Sequence, residues 1–198
     1  MSNPRSGWRA SRPISKVGRR SRAAVKPLFI AIWIEACGAP FGSRGRRADE
    51  QLEVLRLLWA DNPDGATHSG EFFQFRNVAC YPKPAQGERL PVHIGGHSMA
   101  AARRAGRLGD GLQPLRVTGP ALASLIDVMR AEAVRAGRDP EALQLSLGHL
   151  VTKVDRDRAE KLAQLGADRI VLAMPAIDDL QQAKDALSAC AQRLGLAS

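Results

Sequence analysis

A short apolar run followed by a segment of helical periodicity occurs four times in succession in the C-terminal half of the chain. Strands that alternate with helices run parallel and need right-handed crossovers, so this pattern predicts an α/β fold. Periodicity alone leaves open an open doubly wound sheet or part of a (β/α)₈ barrel. The predicted strands are Pro91–Ile94, Gly111–Leu115, Leu143–Val151 and Arg169–Met174, and the predicted helices are Ser98–Leu108, Gly119–Ala136, Arg156–Leu165 and Ile177–Leu194.

Turn and cap residues support these boundaries. Gly137 ends the second helix ahead of Asp139-Pro140, Asp155 is placed to cap the third helix, and Gly166 closes it. The run Leu143–Gly148 alternates leucine with Gln, Ser and Gly, which predicts leucines facing the helices and the polar alternates lining a barrel interior.

The segment before this repeat contains other elements. Leucines and a tryptophan spaced three or four apart predict an amphipathic helix from Ser43 or Arg44 to Ala60. Three phenylalanines and two prolines predict an extended or hairpin-like excursion from His68 to Gln86. The apolar run Leu28–Ile34 offers at most one further strand.

The double glycine Gly95-Gly96 carries the chemistry of the sequence. It lies at the end of a predicted strand and is followed by His97-Ser98 and a helix. Residues without a Cβ let a ligand approach the backbone, and the helix start offers unpaired N–H groups and the positive end of its dipole. This arrangement predicts an anion site, most naturally for a phosphate, although the two glycines could instead serve only a tight turn.

The net charge of +9 is concentrated at the N-terminus. Residues 1–26 contain eight Lys or Arg and no acid, which leaves 21 basic against 20 acidic residues elsewhere. Such a Ser-, Arg- and Gly-rich segment predicts a disordered basic tail over residues 1–27, with no specific nucleic-acid partner. No apolar run is long enough to cross a bilayer, so the expected location is cytoplasmic, without a membrane partner.

Six motifs in register resemble the luciferase-like monooxygenase family from Glu35 to the C-terminus. They are Arg44-Gly45-Arg46-Arg47-Ala48-Asp49-Glu50 with the helix after it, Gly70-Glu71-Phe72-Phe73, Tyr81-Pro82-Lys83-Pro84, Pro91-Val92-His93-Ile94-Gly95-Gly96-His97-Ser98, the Ala- and Arg-rich run Ala101–Gly111, and Ala136-Gly137-Arg138-Asp139-Pro140.

The resemblance implies a TIM-type (β/α)₈ barrel, of which residues 28–198 would form the C-terminal half. It also implies a flavin (FMN) or deazaflavin (coenzyme F420) cofactor and redox or monooxygenase chemistry on a small organic substrate. The cofactor phosphate would lie against Gly95, Gly96, His97 and Ser98. Family members are normally longer, so the chain is interpreted as a truncated relative that self-associates, and its catalytic residues are not identified.

Other candidate residues have simpler interpretations. His93 and His97 are four apart, but the glycines between them break the helix that a metal pair needs, so no metal site is predicted. His149 is interpreted as a core residue. Arg103, Arg104 and Arg107 could supplement the phosphate site or pair with residues such as Asp110.

The alternative function is a non-catalytic remnant that acts as a phosphate-binding or interaction module.

Overall fold

The computed structural model of the chain describes residues 31–196. Residues from Arg47 onward form one unit, which holds the strands described below, and the residues before Arg47 belong to another. Besides a short helix at residues 31–36, the α-helices are α1 (Arg44–Trp59), α2 (Met99–Leu108), α3 (Gly119–Arg135), α4 (Arg156–Gln164) and α5 (Leu180–Leu194). The strands are β1 (Ala66–Ser69), β2 (Gln74–Val78), β3 (His93–Gly95), β4 (Gly111–Gln113), β5 (Gln144–Leu150) and β6 (Arg169–Ala173).

Strands β3 to β6 form a parallel sheet whose spatial order is their order in the sequence. One helix joins each pair of neighbours: α2 lies between β3 and β4 in the chain, α3 between β4 and β5, and α4 between β5 and β6. The predicted α/β class is therefore confirmed, and each predicted strand and helix of the repeat is present. Asp155 caps α4 as predicted, because its carboxylate accepts a hydrogen bond from the Arg158 N–H at 2.8 Å.

An aspartate at the start of two strands ties each strand to the one beside it. Asp110 precedes β4; its carboxylate accepts from the Val92 N–H at 2.7 Å, and its own N–H donates to the Val92 carbonyl at 2.8 Å. Asp168 precedes β6 and makes the same two bonds with Leu145, at 2.7 and 3.0 Å. These carboxylates satisfy backbone donors that the sheet would otherwise leave open, and they fix the register at its amino end.

Asp110 also joins the sheet to two other parts of the unit. Its carboxylate forms ion pairs with Arg56 of α1 and with Arg138, which follows α3. The Arg56 guanidinium donates as well to the carbonyls of Glu88 and Leu90 in the segment that leads into β3. One carboxylate therefore holds α1, β3 and the α3–β5 connection together.

The apolar core lies between the sheet and helices α2 to α4. Ile94, Leu112 and Leu145 occupy matched positions on neighbouring strands and are buried. Small residues let α2 approach α3 closely: a Cβ added at Gly106 would lie 2.8 Å from the Glu132 Cβ. The buried residues of this cluster are Ile94, Ala101, Ala102, Ala105, Leu112, Leu122, Leu125, Met129, Ala133, Leu143, Leu145, Leu147 and Leu162.

The opposite face of the sheet carries a polar cluster of His93, Gln144 and Ser146. The His93 ring lies between the other two, with Nε2 3.1 Å from Gln144 Oε1 and Nδ1 3.1 Å from Ser146 Oγ. The ring reaches β5 across β4 because Gly111 lies between them, where a Cβ would be 2.9 Å from His93 Cε1. The predicted alternation of Leu143–Gly148 therefore agrees with the structure, since the leucines face the helices and Gln144 and Ser146 do not.

The predicted excursion after α1 is an antiparallel hairpin of β1 and β2. Glu50 of α1 holds its turn: the carboxylate accepts from the Phe72 N–H at 2.9 Å and the Phe73 N–H at 2.8 Å, and lies 3.0 Å from His68 Nε2. Burial alone would raise the pKa of Glu50, but the hydrogen bonds from Phe73, His68 and Phe72 outweigh it and hold the pKa below its ordinary value of 4.5.

Two expectations differ from the structure, and a third cannot be compared with it. The run Leu28–Ile34, expected to offer at most one strand, forms none where the structure describes it, because residues 31–36 are helical. Helix α5 begins at Leu180 instead of Ile177, because the Asp179 carboxylate caps it by accepting from the Gln181 N–H at 2.6 Å. The basic tail over residues 1–27 and its boundary lie outside the described residues.

Replacing Asp110 by alanine should lower the free energy of unfolding by about 1–3 kcal/mol, because the Val92 N–H and two guanidinium groups lose their acceptor. Urea denaturation followed by circular dichroism measures this difference. The control is Asp61→Ala, which removes an exposed carboxylate from a loop. Equal stability of the two variants would contradict the role assigned to Asp110.

Replacing Glu50 by glutamine should change how stability depends on pH. Because the folded pKa of Glu50 lies below 4.5, the ionised carboxylate stabilises the folded chain above about pH 4.5, and this contribution is lost as pH falls through the folded pKa. The stability difference between wild type and E50Q, measured from pH 7 to pH 3, should therefore be constant at first and shrink below pH 4.5. E53Q, which changes an exposed residue of the same helix, should follow the wild-type profile.

Candidate functional site

The loop Gly95–Ser98 joins the carboxyl end of β3 to the start of α2. Two backbone donors near it are already used: the Gly96 N–H donates to the Gln113 carbonyl at 3.1 Å, and the Ala101 N–H donates to Ser98 Oγ at 3.2 Å. The N–H groups of Met99 and Ala100 have no acceptor within the part of the chain that the structure describes. These two exposed donors lie at the positive end of the α2 dipole, which is the arrangement that the sequence analysis expects of an anion site.

The two glycines of the loop have different roles. Gly96 has a φ of +139°, which residues with a side chain rarely adopt, and a Cβ there would lie 3.0 Å from the Ala101 Cβ. The turn itself therefore requires glycine at position 96. Gly95 has an ordinary φ, and nothing lies within 4 Å of the Cβ it could carry. The alternative of a simple packing device explains Gly96 but not Gly95, whose Cβ position is open.

His93 lies on the same face of β3 as Gly95, since the two residues are two apart in one strand. Its ring is held on both nitrogens by Ser146 and Gln144, and Ser146 is only 1% exposed. The sequence pattern predicts that Gln144 and Ser146 line the interior, but it does not place His93 between them. Gly111 was the available signal, because a glycine inside a short strand marks a close approach by another group.

A cavity of about 530 Å³ lies next to this site and is called the edge groove here. It is mainly apolar. Its lining residues are Ala48, Gln51, Leu52, Val54 and Leu55 of α1, Phe73 of the β1–β2 turn, Val92, His93, Ile94 and Gly95 at β3, and Arg104 of α2.

The arginines of α2 do not reach the anion site. Arg104 and Arg107 pair with Asp49 of α1, and Arg103 lies 3.6 Å from Glu132 of α3. The structure therefore supports the alternative that they pair with carboxylates, and the partners are Asp49 and Glu132 instead of Asp110. They lie in the middle and last turn of α2, where they neutralise carboxylates of the flanking helices.

The remaining candidates are placed as follows. His149 is half-buried at the end of β5 and accepts from Arg158 Nε at 3.3 Å, so the core interpretation holds only in part. Among residues 31–196, no group of three or more His, Cys, Asp or Glu side chains is placed to hold a metal ion. Cys37 is exposed, Cys80 is half-buried and Cys190 is buried, and all three are free thiols.

The chain belongs to the luciferase-like monooxygenase family, whose model matches residues 29–195. It is 29% identical over 119 residues to the F420-dependent glucose-6-phosphate dehydrogenase of Nakamurella multipartita, covering 59% of this chain and 34% of that protein. It is 27% identical over 143 residues to the FMNH₂-dependent dimethylsulfone monooxygenase of Pseudomonas putida, covering 71% of this chain and 38% of the relative. The chain thus spans about a third of the length of these curated relatives.

A solved structure shows the same fold. An F420-dependent secondary alcohol dehydrogenase in complex with an F420–acetone adduct superimposes with a TM-score of 0.62 at 17% sequence identity, covering 78% of this chain and 63% of that one. The predicted fold class is confirmed: the parallel (β/α) units are part of a TIM-type barrel, and Gly95–Ser98 lie at the carboxyl ends of its strands. Within residues 31–196, no helix has the length and apolar character needed to span a membrane.

Alanine at the two glycines should separate their roles. Gly96→Ala should lower the free energy of unfolding by about 1–3 kcal/mol, because alanine must adopt a φ of +139° beside Ala101. Gly95→Ala should leave the free energy of unfolding within about 0.5 kcal/mol of wild type, because its Cβ enters open space. Urea denaturation of both variants measures the difference, and a larger loss for Gly95→Ala would contradict this assignment.

Proposed function

We propose that the Gly95–Ser98 loop and the first turn of α2 bind the phosphate of a deazaflavin (coenzyme F420) or of FMN. In this proposal the chain is an oxidoreductase of the luciferase-like family that acts on a small organic substrate. The observation that carries it is the pair of N–H groups of Met99 and Ala100, which have no acceptor among the described residues. The names of the relatives support the two cofactor classes, since one is F420-dependent and the other uses FMNH₂.

The donor set fits a phosphate group. Residues 95–101 include no carboxylate side chain, and the two free donors lie at the N-terminus of a ten-residue helix. A hydrogen bond to a charged group contributes about 1.5–3 kcal/mol, and the helix dipole adds about 0.3–1 kcal/mol at an exposed site. The exposed His97 lies in the same loop, where its imidazole can approach a bound anion.

The residues next to the loop fit the rest of such a cofactor. When bound, F420 or FMN supplies the hydride-transfer or oxygen-activating chemistry. The chain contributes a phosphate anchor, a glycine that permits close approach, and an imidazole at His93 whose orientation is fixed by two hydrogen bonds. Because the His93 ring is already held in place, less conformational entropy is lost when a cofactor and a substrate are aligned beside it.

Gly95→Asp should raise the Kd for F420 or FMN at least about tenfold, because a carboxylate would occupy the open space next to the phosphate. Fluorescence titration of the purified full chain with each cofactor measures the Kd. The matched control is Gly42→Asp, since Gly42 also has an ordinary φ and open space around its Cβ.

Three results of this titration would count against the proposal. Unchanged affinity of the Gly95→Asp variant would remove the loop as the anchor, and a similar loss in Gly42→Asp would show a nonspecific charge effect. Competition by inorganic phosphate with no added affinity from the ring system would favour the alternative, a phosphate-binding module without redox activity.

A further inference from the structure

A second cavity, of about 270 Å³, is lined by residues of α3 and α4 and by the carboxyl ends of β4 and β5. It is called the helix cavity here, and it shares no lining residue with the edge groove. Leu147 contributes to its wall and also belongs to the core between the sheet and the helices. The helix cavity therefore lies on the helix face of the sheet, opposite the polar cluster that holds His93.

The inner wall of the helix cavity is apolar. Leu122 of α3, Leu147 of β5 and Leu162 of α4 line it, and all three are buried members of the core. Leucines from three different elements meet here, and they leave space that their own side chains do not fill. Such a wall favours the hydrocarbon part of a ligand, because binding removes apolar surface from water.

Two arginines without a carboxylate partner also line the helix cavity. The Arg116 side chain makes no hydrogen bond or ion pair within residues 31–196, and the Arg158 side chain makes only one, from Nε to His149 Nε2 at 3.3 Å. No Asp or Glu of the described chain lines the cavity, and residues 1–30 and 197–198 contain none. The arginines of α2, in contrast, all pair with carboxylates. Two unpaired guanidinium groups at one cavity point to an anionic ligand.

The backbone at Arg116 supports the same interpretation. Its φ is +55°, a left-handed conformation that residues other than Gly, Asn and Asp rarely adopt. Strain of this kind is concentrated at ligand sites, where a side chain is held at a place that the unstrained backbone would not give it. Two residues later, the Thr118 hydroxyl makes no cap bond at the start of α3, so it is a further donor in the wall of the cavity.

We propose that the helix cavity binds a small alkyl carboxylate. The hydrocarbon chain lies against Leu122, Leu147 and Leu162. The carboxylate lies between Arg116 and Arg158, whose guanidinium groups each present two parallel donors that match its two oxygens. This binding needs no redox cofactor, so it does not rest on the proposed function.

The size of the helix cavity sets the length of the ligand. At about 30 Å³ per non-hydrogen atom, the share of one water molecule in the liquid, a volume of 270 Å³ holds about nine such atoms. Two of them are the carboxylate oxygens, which leaves a straight chain of about seven carbons. Heptanoate is therefore the probe of choice.

Isothermal titration calorimetry of the purified full chain without cofactor tests the proposal. Heptanoate should bind, and both 1-heptanol and acetate should bind at least about tenfold more weakly, because the first lacks the charge and the second lacks the chain. In a series of straight-chain carboxylates, affinity should rise about fourfold per CH₂ and stop rising near seven carbons, when the cavity is full.

Substitution of each arginine locates the carboxylate. Arg158→Gln and Arg116→Gly should each raise the Kd for heptanoate at least about tenfold, because a charge-assisted hydrogen bond is lost. Glycine adopts a φ of +55° without strain, so Arg116→Gly keeps the local backbone. The matched control is Arg156→Gln on the same helix as Arg158. Arg156 is exposed, pairs with Glu160 at 3.2 Å and does not line the cavity, so this variant should keep the wild-type Kd.

Nuclear magnetic resonance of the imidazole nitrogens gives an independent measurement. A bound carboxylate should draw the Arg158 guanidinium away from His149, so the Nε2 shift of His149 should change with heptanoate. His68, which is held by Glu50 in the hairpin, should keep its shifts. In the Arg158→Gln variant the response of His149 to heptanoate should be lost.

Several outcomes would overturn the proposal. Absence of heptanoate binding would remove the site, and equal affinity for 1-heptanol or for acetate would remove one of the two contacts that define it. Unchanged affinity in Arg158→Gln, or an equal loss in Arg156→Gln, would place the carboxylate elsewhere. Affinity that keeps rising well beyond seven carbons would show binding to an open surface instead of a closed cavity.

Discussion

The carboxylate of Asp110 is the interaction on which the arrangement of the site depends. It accepts from the backbone of β3 and pairs with Arg56 of α1, so it fixes the amino end of β3 against β4 and α1 together. The strand that it anchors is only three residues long and ends directly at the Gly95–Ser98 loop. A strand so short has few ladder bonds of its own, so the position of the loop follows from the bonds at its start.

The candidate site combines a strained glycine with an unstrained one. Gly96 supplies a backbone conformation that a residue with a side chain rarely adopts, and the Cβ position of Gly95 is open. Ser98 Oγ accepts from the Ala101 N–H, and the N–H groups of Met99 and Ala100 have no acceptor among the described residues. In the proposed function, the phosphate would therefore be held by peptide groups instead of arginine side chains.

Local patterns predicted the repeat well because each element carries its own signals. The strands and helices from β3 to α4 follow from apolar periodicity, glycines at helix ends and the Asp155 cap, all of which act within a few residues. The pairing of Arg104 and Arg107 with Asp49 was not predictable, because it joins residues more than fifty positions apart. The helix at residues 31–36 was missed because a short apolar run fits either a strand or a helix.

The sequence by itself determined the alternation of strands and helices, the parallel sheet and the position of the glycine loop at a strand end. Each of these depends on chain order and local conformation, which sequence spacing encodes directly. Only the tertiary structure decided which backbone donors lack an acceptor among the described residues and how His93 crosses Gly111 to reach Ser146. These features depend on distances between segments far apart in the chain, and packing sets those distances.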